Sequence, residues 1–155
     1  MTHSDNGPGI LFPPPLNYFI GFLFAYAMNR FYPIPMVGPP LSIVLALIAV
    51  TPSAVLGLWS LLEFWRARTN FLPHKPSSSL VIVGPYRVTR NPMYLSLALL
   101  YVSFGFLLSI AWTFIILPMV IFIMNVYVIR REESYLESRF GEQYRAYTQQ
   151  VHRWL

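Results

Sequence analysis

Two arginines that stand between prolines are the first residues that could do chemistry. Residues 84–94 read GPYRVTRNPMY, so Arg87 and Arg90 lie between Pro85 and Pro92. Pro92 suits the first turn of a helix, where a missing N–H costs nothing. Because a helix N-terminus binds carboxylates or phosphates and arginine adds charge-assisted donors, the spacing predicts a site for an anionic group. The plainer interpretation is that both arginines anchor the chain to lipid phosphates.

A second charged cluster, Arg130-Arg131-Glu132-Glu133, follows a long apolar stretch. It is either a charge cap at the end of a membrane helix or the ionisable lining of a site at the membrane–water boundary. The residues alone leave both interpretations open. Glu63, at the end of an earlier apolar stretch, is expected to pair with Arg66 one turn further on, rather than to act inside the membrane.

Long windows without charge predict the helices that must carry these residues. Three windows contain no Asp, Glu, Lys or Arg: residues 6–29, 31–62 and 91–129. About 20 apolar residues cross the hydrocarbon core as a helix. The first window predicts a helix over 10–28, or from Leu16 after three prolines, and the second a helix over 41–62 with a kink at Pro52. The third window is too long for one crossing, so it predicts a tight hairpin that turns near residues 109–111.

Composition and charge place this chain in a membrane. Hydrophobic residues make up 55% and charged residues 11% of the 155 residues, whereas an average soluble domain is about 25% charged. The formal net charge is +5, yet ten of the eleven Lys and Arg residues follow the second or the fourth predicted helix, and only Arg30 follows the first. The positive-inside rule then places both termini in the cytoplasm, and nucleic-acid binding is not expected. No cysteine is present, which excludes disulfides and thiolate metal sites, and no metal site is predicted.

The predicted fold is one all-α integral membrane domain over residues 1–155 with about four transmembrane helices. Residues 1–65 hold two helices, 66–91 a cytoplasmic loop with a β-type run at 80–83, 92–129 the helical hairpin and 130–155 a cytoplasmic helix. Apolar residues recur along that last helix every three or four positions. They are Leu136, Phe140, Tyr144, Tyr147, Val151 and Trp154. This amphipathic face is expected on the membrane surface or over the 66–91 loop, with a break at Gly141.

The two charged segments together resemble the isoprenylcysteine carboxyl methyltransferase and phospholipid methyltransferase superfamily of integral membrane enzymes. The matching patterns are L-V-x-x-G-P-Y-R-x-x-R-N-P-M-Y at 80–94 and R-E-E followed by F-G-E-Q-Y-x-x-Y within 131–147. The resemblance covers roughly residues 66–155. It implies S-adenosylmethionine as methyl donor, a lipophilic or small acceptor that presents a carboxylate, amine or thiol at the cytoplasmic membrane face, and a bacterial inner-membrane location.

The resemblance also assigns residues to the site. It implies that the methyl donor is bound by Leu80, Val81, Gly84, Tyr86, Arg90, Asn91, Pro92, Tyr94 and Glu132. Glu132, Glu133 and Arg131 are the expected catalytic residues, because an amine acceptor must lose a proton and a basic residue near the acidic pair contacts the substrate. Asn91 stands where the carboxyl methyltransferases usually carry histidine, so a prenylated substrate is not implied.

Two other functional classes fit the same residues. A sterol-reductase-like enzyme shares related motifs near its C-terminus, although nothing in this sequence suggests a separate nicotinamide site. A non-enzymatic membrane or lipid-binding relative would keep the fold without turnover. Binding of S-adenosylmethionine separates the methyltransferase from both.

The predicted topology can be tested by labelling, because the chain has no native cysteine. Single cysteines at Ser78 and Ser138 should be shielded from an impermeant thiol reagent added to intact cells, whereas a cysteine at Phe31 should react. Reaction of the Ser78 variant from outside would contradict the model with four crossings and both termini inside.

Overall fold

The computed structural model describes residues 13–70 and 77–155, and in this part of the chain every regular element is helical. The elements in chain order are α1 (Pro14–Phe31), α2 (Leu41–Arg66), a 3₁₀ turn (Gly84–Arg87), α3 (Pro92–Leu107), α4 (Trp112–Ile123), a π-helical segment (Met124–Ile129), α5 (Arg130–Phe140) and α6 (Glu142–Gln150). The prediction of an all-α fold is confirmed for the described residues.

The first two helices both extend beyond the predicted ends. The predicted start at residue 10 lies outside the described residues, and α1 continues to Phe31. Helix α2 continues to Arg66, and its last turn contains an ion pair: Glu63 lies 3.0 Å from Arg66 and also accepts a 2.9 Å hydrogen bond from Trp59. The expected pairing of Glu63 is therefore confirmed. Pro52 lies inside α2, as the sequence requires.

The predicted hairpin is present between α3 and α4. Helix α3 ends at Leu107 and α4 begins at Trp112, with Ser109 in the left-handed region at φ 52°. The hydroxyl of Thr113 donates a 2.6 Å hydrogen bond to the carbonyl of Ile110, which satisfies a backbone acceptor in the turn.

The helix expected over residues 130–155 does not begin anew at residue 130. Helix α4, the π-helical segment and α5 follow one another without a break, so Trp112–Phe140 is one helix of 29 residues. Arginine and glutamate favour helix, and no glycine or proline interrupts residues 130–140. The helix ends only at Gly141, which has φ 51°, so the predicted break at that glycine is confirmed.

Two of the described helices, Leu41–Arg66 and Trp112–Phe140, are long and apolar enough to cross a membrane. Helix α2 packs along α3, and α1 packs along α4. Small polar side chains join the first pair: the Ser53 hydroxyl donates to the Ser96 carbonyl at 2.7 Å, and Ser103 donates to the Ala46 carbonyl at 2.9 Å. Such contacts let helices approach closely without relying on a hydrophobic force. Large apolar side chains such as Leu47 instead face outward, where lipid can cover them.

The β-type run predicted at residues 80–83 does not form a strand in the described structure. Residues 13–70 and 77–155 contain no other strand that could pair with its backbone. Leu80 packs instead against Tyr144 and Tyr147 of α6, and Val81 is buried. The amphipathic face of α5 and α6 therefore covers the loop, which was one of the two predicted positions for it.

Candidate functional site

A cleft of about 110 Å³ lies where the 77–91 loop, the start of α3, α5 and α6 meet. Its lining residues are Phe64, Asn70, Ser77, Ser79, Leu80, Val81, Tyr86, Arg90, Asn91, Met93, Tyr94, Glu132, Glu133, Tyr135, Leu136, Tyr144 and Tyr147. Both charged segments of the sequence thus contribute to one cavity, although about 40 residues separate them in the chain.

The loop side of the cleft is held by a buried tyrosine. Tyr86 is only 7% exposed, and its ring packs edge to face on Phe64 with ring centroids 5.6 Å apart. Its backbone carbonyl accepts a 2.7 Å hydrogen bond from the Tyr147 hydroxyl of α6. Burial raises the pKa of the Tyr86 phenol far above its ordinary value, so the hydroxyl stays neutral.

Gly84 is required by its surroundings rather than by contact with the cleft. It has φ 60°, and an added Cβ would lie 2.8 Å from Nε1 of Trp59 and 3.0 Å from Cγ of Glu63. Only glycine combines this backbone conformation with such a close approach to α2. Pro92, the first residue of α3, is likewise buried and does not line the cavity. Both residues position the loop and the helix start.

Helix α5 forms the other wall of the cleft, and two of its side chains are hydrogen-bonded to the loop. The Tyr135 hydroxyl accepts a 3.0 Å hydrogen bond from the Ser77 amide, and Nε of Arg139 donates a 2.7 Å bond to the Ser77 carbonyl. Two side chains one turn apart therefore hold a single loop residue against the helix that carries the acidic pair.

The two adjacent glutamates have different surroundings. Glu132 accepts a 2.6 Å hydrogen bond from the Tyr94 hydroxyl, and no arginine or lysine of the described residues forms an ion pair with it. Glu133 instead contacts two guanidinium groups: Arg90 at 3.1 Å, and Arg153 through two hydrogen bonds of 2.9 and 2.6 Å. The cleft thus holds one neutralised carboxylate and one without a counter-ion.

Arg90 lies in the same cleft, and only some of its hydrogen-bond donors have partners among the described residues. Its guanidinium contacts Glu133 and the Tyr144 hydroxyl. Its Nε is buried and has no hydrogen-bond partner among the described residues. Burial, assisted by the charge of Glu133, raises the pKa of Tyr144 to about 12. The Tyr144 hydroxyl is therefore neutral at physiological pH, so Arg90 can accommodate a further anionic group.

Asn91 is engaged in holding the backbone. Its side-chain amide donates a 2.9 Å hydrogen bond to the Arg153 carbonyl, and the same carbonyl accepts from the Thr89 hydroxyl at 3.1 Å. Asn91 still lines the cavity, but one of its amide hydrogens is already used.

Most of the residues assigned from the sequence meet at this cleft. Leu80, Val81, Tyr86, Arg90, Asn91, Tyr94, Glu132 and Glu133 line it. Gly84 and Pro92 support it from behind. Arg131 differs: it lies on an exposed part of the helix surface and is not among the lining residues, because successive helical residues point about 100° apart. Arg131 therefore does not line this cavity, and its expected contact with a substrate stays a prediction.

Several residues of the site were not assigned from the sequence. Phe64 and Tyr135 carry no local pattern that marks them. Tyr144 and Tyr147 do belong to the predicted amphipathic face, which is the signal that could have found them. Arg153 lies far from both motifs in the sequence, and only the fold shows that it contacts Glu133.

Comparison with known proteins agrees with this geometry. A family model described as phospholipid methyltransferase matches residues 38–143, so the chain belongs to the phospholipid methyltransferase family. An uncharacterized protein of Haemophilus influenzae is 48% identical over 65 residues, which are 41% of this chain and 100% of that protein. No solved structure matches the chain. The family resemblance inferred from the two motifs is confirmed, and it implies a membrane methyltransferase.

The contact between α6 and the loop can be tested through Tyr147. Tyr147→Phe removes the donor to the buried Tyr86 carbonyl and should lower the free energy of unfolding by about 1–3 kcal/mol. The measurement is chemical or thermal unfolding of the detergent-solubilised protein. Tyr127→Phe, at a tyrosine that is 58% exposed, is the matched control and should change stability by less than about 0.5 kcal/mol. Equal stability of the two variants would contradict a stabilising role for the hydrogen bond between Tyr147 and the Tyr86 carbonyl.

Proposed function

We propose that this protein transfers a methyl group from S-adenosylmethionine to a lipophilic or small acceptor at the cytoplasmic face of a membrane. The observation that carries the proposal is the carboxylate of Glu132, which lines the cleft beside Tyr94 and has no cationic partner among the described residues. A partly desolvated carboxylate without a counter-ion favours a cationic ligand. Membership of a methyltransferase family supports S-adenosylmethionine as that cation.

The residues of the cleft fit S-adenosylmethionine group by group. Its sulfonium group is a cation that suits Glu132. Its carboxylate suits Arg90, whose buried Nε lacks a partner among the described residues. The apolar side chains of Leu80 and Val81 and the ring of Tyr86 offer a surface for the flat adenine. These residues, with Asn91 and Tyr94, form the proposed binding set, and Gly84 and Pro92 shape it from behind.

When bound, S-adenosylmethionine supplies an electrophilic methyl group. The chain mainly needs to align the reactants and exclude water. The contacts of Tyr86, Tyr147 and Tyr135 suit this task because they fix the loop against α5 and α6. An amine acceptor must first lose a proton, and Glu132 is placed to accept it; a carboxylate or thiolate acceptor needs no base. Glu133, already paired with two arginines, is proposed to hold Arg90 in position, and Arg131 is given no role in this cleft.

The proposal includes the topology. Helices α1 and α3, with 18 and 16 residues, join the two longer helices as four crossings in one domain, with α3 and α4 as a tight hairpin. Both termini and the 66–91 loop lie on the cytoplasmic side of a bacterial inner membrane. Support comes from the basic residues, which gather at the end of the helices that carries the cleft. A polar methyl donor reaches this end from water, whereas a lipophilic acceptor reaches it from the bilayer.

The role of Glu132 can be tested by ligand binding. S-adenosylmethionine and its demethylated product, S-adenosylhomocysteine, should both raise the melting temperature of the detergent-solubilised protein. Glu132→Gln should weaken binding of S-adenosylmethionine about tenfold, or ~1.4 kcal/mol. It should change binding of the product much less, because the product lacks the sulfonium charge that the carboxylate attracts.

Glu137→Gln is the matched control for this experiment. Glu137 lies on the same helix, but it is exposed and pairs with Arg145 away from the cleft. Its neutralisation should leave the affinities for both compounds unchanged. Failure of the folded wild-type protein to bind either compound at millimolar concentration would exclude the proposed methyl donor.

A further inference from the structure

Residues 151–154 return to the cleft and hold the three residues that precede α3. The Arg90 amide donates a 2.9 Å hydrogen bond to the His152 carbonyl. The Arg153 carbonyl accepts from Thr89 at 3.1 Å and from Asn91 at 2.9 Å. Three donors from consecutive residues therefore meet two consecutive carbonyls, which fixes the backbone from which the Arg90 side chain extends.

The side chain of Arg153 then acts on the same arginine from another direction. Arg153 donates to both oxygens of Glu133, at 2.9 and 2.6 Å, whereas Arg90 makes one longer contact of 3.1 Å. The side chains of Glu133 and Arg90 are only 18% and 16% exposed, and that of Arg153 is 36% exposed. Two cations thus share one largely buried carboxylate, and Arg153 makes the bidentate contact, which is the stronger geometry.

The consequence for Arg90 follows from charge and donor number. A guanidinium group has five N–H donors, and Nε of Arg90 has no partner among the described residues. If Arg153 did not neutralise Glu133, that carboxylate would have Arg90 as its one ion-pair partner among the described residues, and the cleft would carry one more unit of negative charge. Arg90 would then be less available to any other anion.

We propose that Arg153 is a positioning residue which, by neutralising Glu133, keeps the guanidinium of Arg90 available for the carboxylate of the bound methyl donor and of its product. This inference rests on the proposed function. It assigns a different task to each member of the acidic pair. Glu132 distinguishes the cationic donor from its product, whereas Arg153 and Glu133 set the affinity for the amino-acid carboxylate that both compounds carry.

The two tasks predict different binding signatures. Arg153→Ala should weaken binding of S-adenosylmethionine and S-adenosylhomocysteine about tenfold each, so the ratio of the two dissociation constants stays that of the wild type. Arg153→Lys should bind with intermediate affinity, because an ammonium group keeps the charge but loses the bidentate geometry. The dissociation constants are measured on the detergent-solubilised full chain, so no turnover is needed.

A double variant separates positioning from mere packing. If Arg153 acts by neutralising Glu133, then removing the charge of Glu133 removes the need for it. Arg153→Ala combined with Glu133→Gln should therefore recover the affinity of Glu133→Gln alone for both compounds. Arg145→Ala is the control, since Arg145 is exposed and pairs with Glu137 and Glu142 outside the cleft. It should bind both compounds like the wild type.

Each result of these binding measurements has a defined consequence for the role of Arg153 or for the proposed function. Unchanged affinity in Arg153→Ala, with a wild type that binds both compounds, overturns the inference and leaves the proposed function intact. A loss that Glu133→Gln does not relieve also overturns it, because Arg153 would then act through packing alone. A wild type that binds neither compound overturns the proposed function itself. Should Arg153→Ala not fold, Arg153→Gln, which fills a similar volume without charge, replaces it in the same comparison.

Discussion

The hydrocarbon core of a membrane admits almost no uncompensated charge, and the organisation of this protein depends on that constraint. The long helices are free of charge over most of their length, so the ionisable residues collect at the helix ends. The residues just before α3 and the second half of the 112–140 helix meet near one such end and bring Arg90, Glu132 and Glu133 to a single cleft. Charged side chains at this boundary are partly desolvated. Their electrostatic interactions with a bound ligand are therefore stronger than they would be in bulk water.

The continuity of the last membrane helix gives the cleft its rigidity. Because α4 continues through the π-helical segment into α5, the acidic pair lies inside a helix and not on a connecting loop. π-helical segments within longer helices occur frequently at functional sites, and this one immediately precedes the charged residues. Gly141 then turns α6 back over the loop, so that Tyr147 can reach the Tyr86 carbonyl. A site on a helix of this length is held more precisely than one on a loop.

The sequence predicts the parts that depend on local pattern. Charge-free windows and prolines locate the helix starts at Leu41 and Pro92 and the hairpin turn, and the stripe on the last segment indicates that α6 packs on something apolar. Tertiary contacts were not predictable in this way. Residues 80–83 have a β-type pattern but pack against α6 and form no strand. The charge cluster at 130–133 lies within a continuous helix, although the sequence suggests that a helix ends there. Arg153 has no local signal, because its role exists only once residue 133 lies beside it.

Methyl transfer itself is the central claim, and one measurement tests it most directly. Membranes that contain the protein are incubated with S-adenosylmethionine labelled on its methyl group, and the lipid and aqueous fractions are analysed for labelled product. We expect a labelled acceptor with the wild type and a rate at least about tenfold lower with Glu132→Gln, equivalent to ~1.4 kcal/mol of transition-state stabilisation. No labelled product in either fraction from a folded wild type that binds S-adenosylmethionine would contradict the assignment as an active methyltransferase.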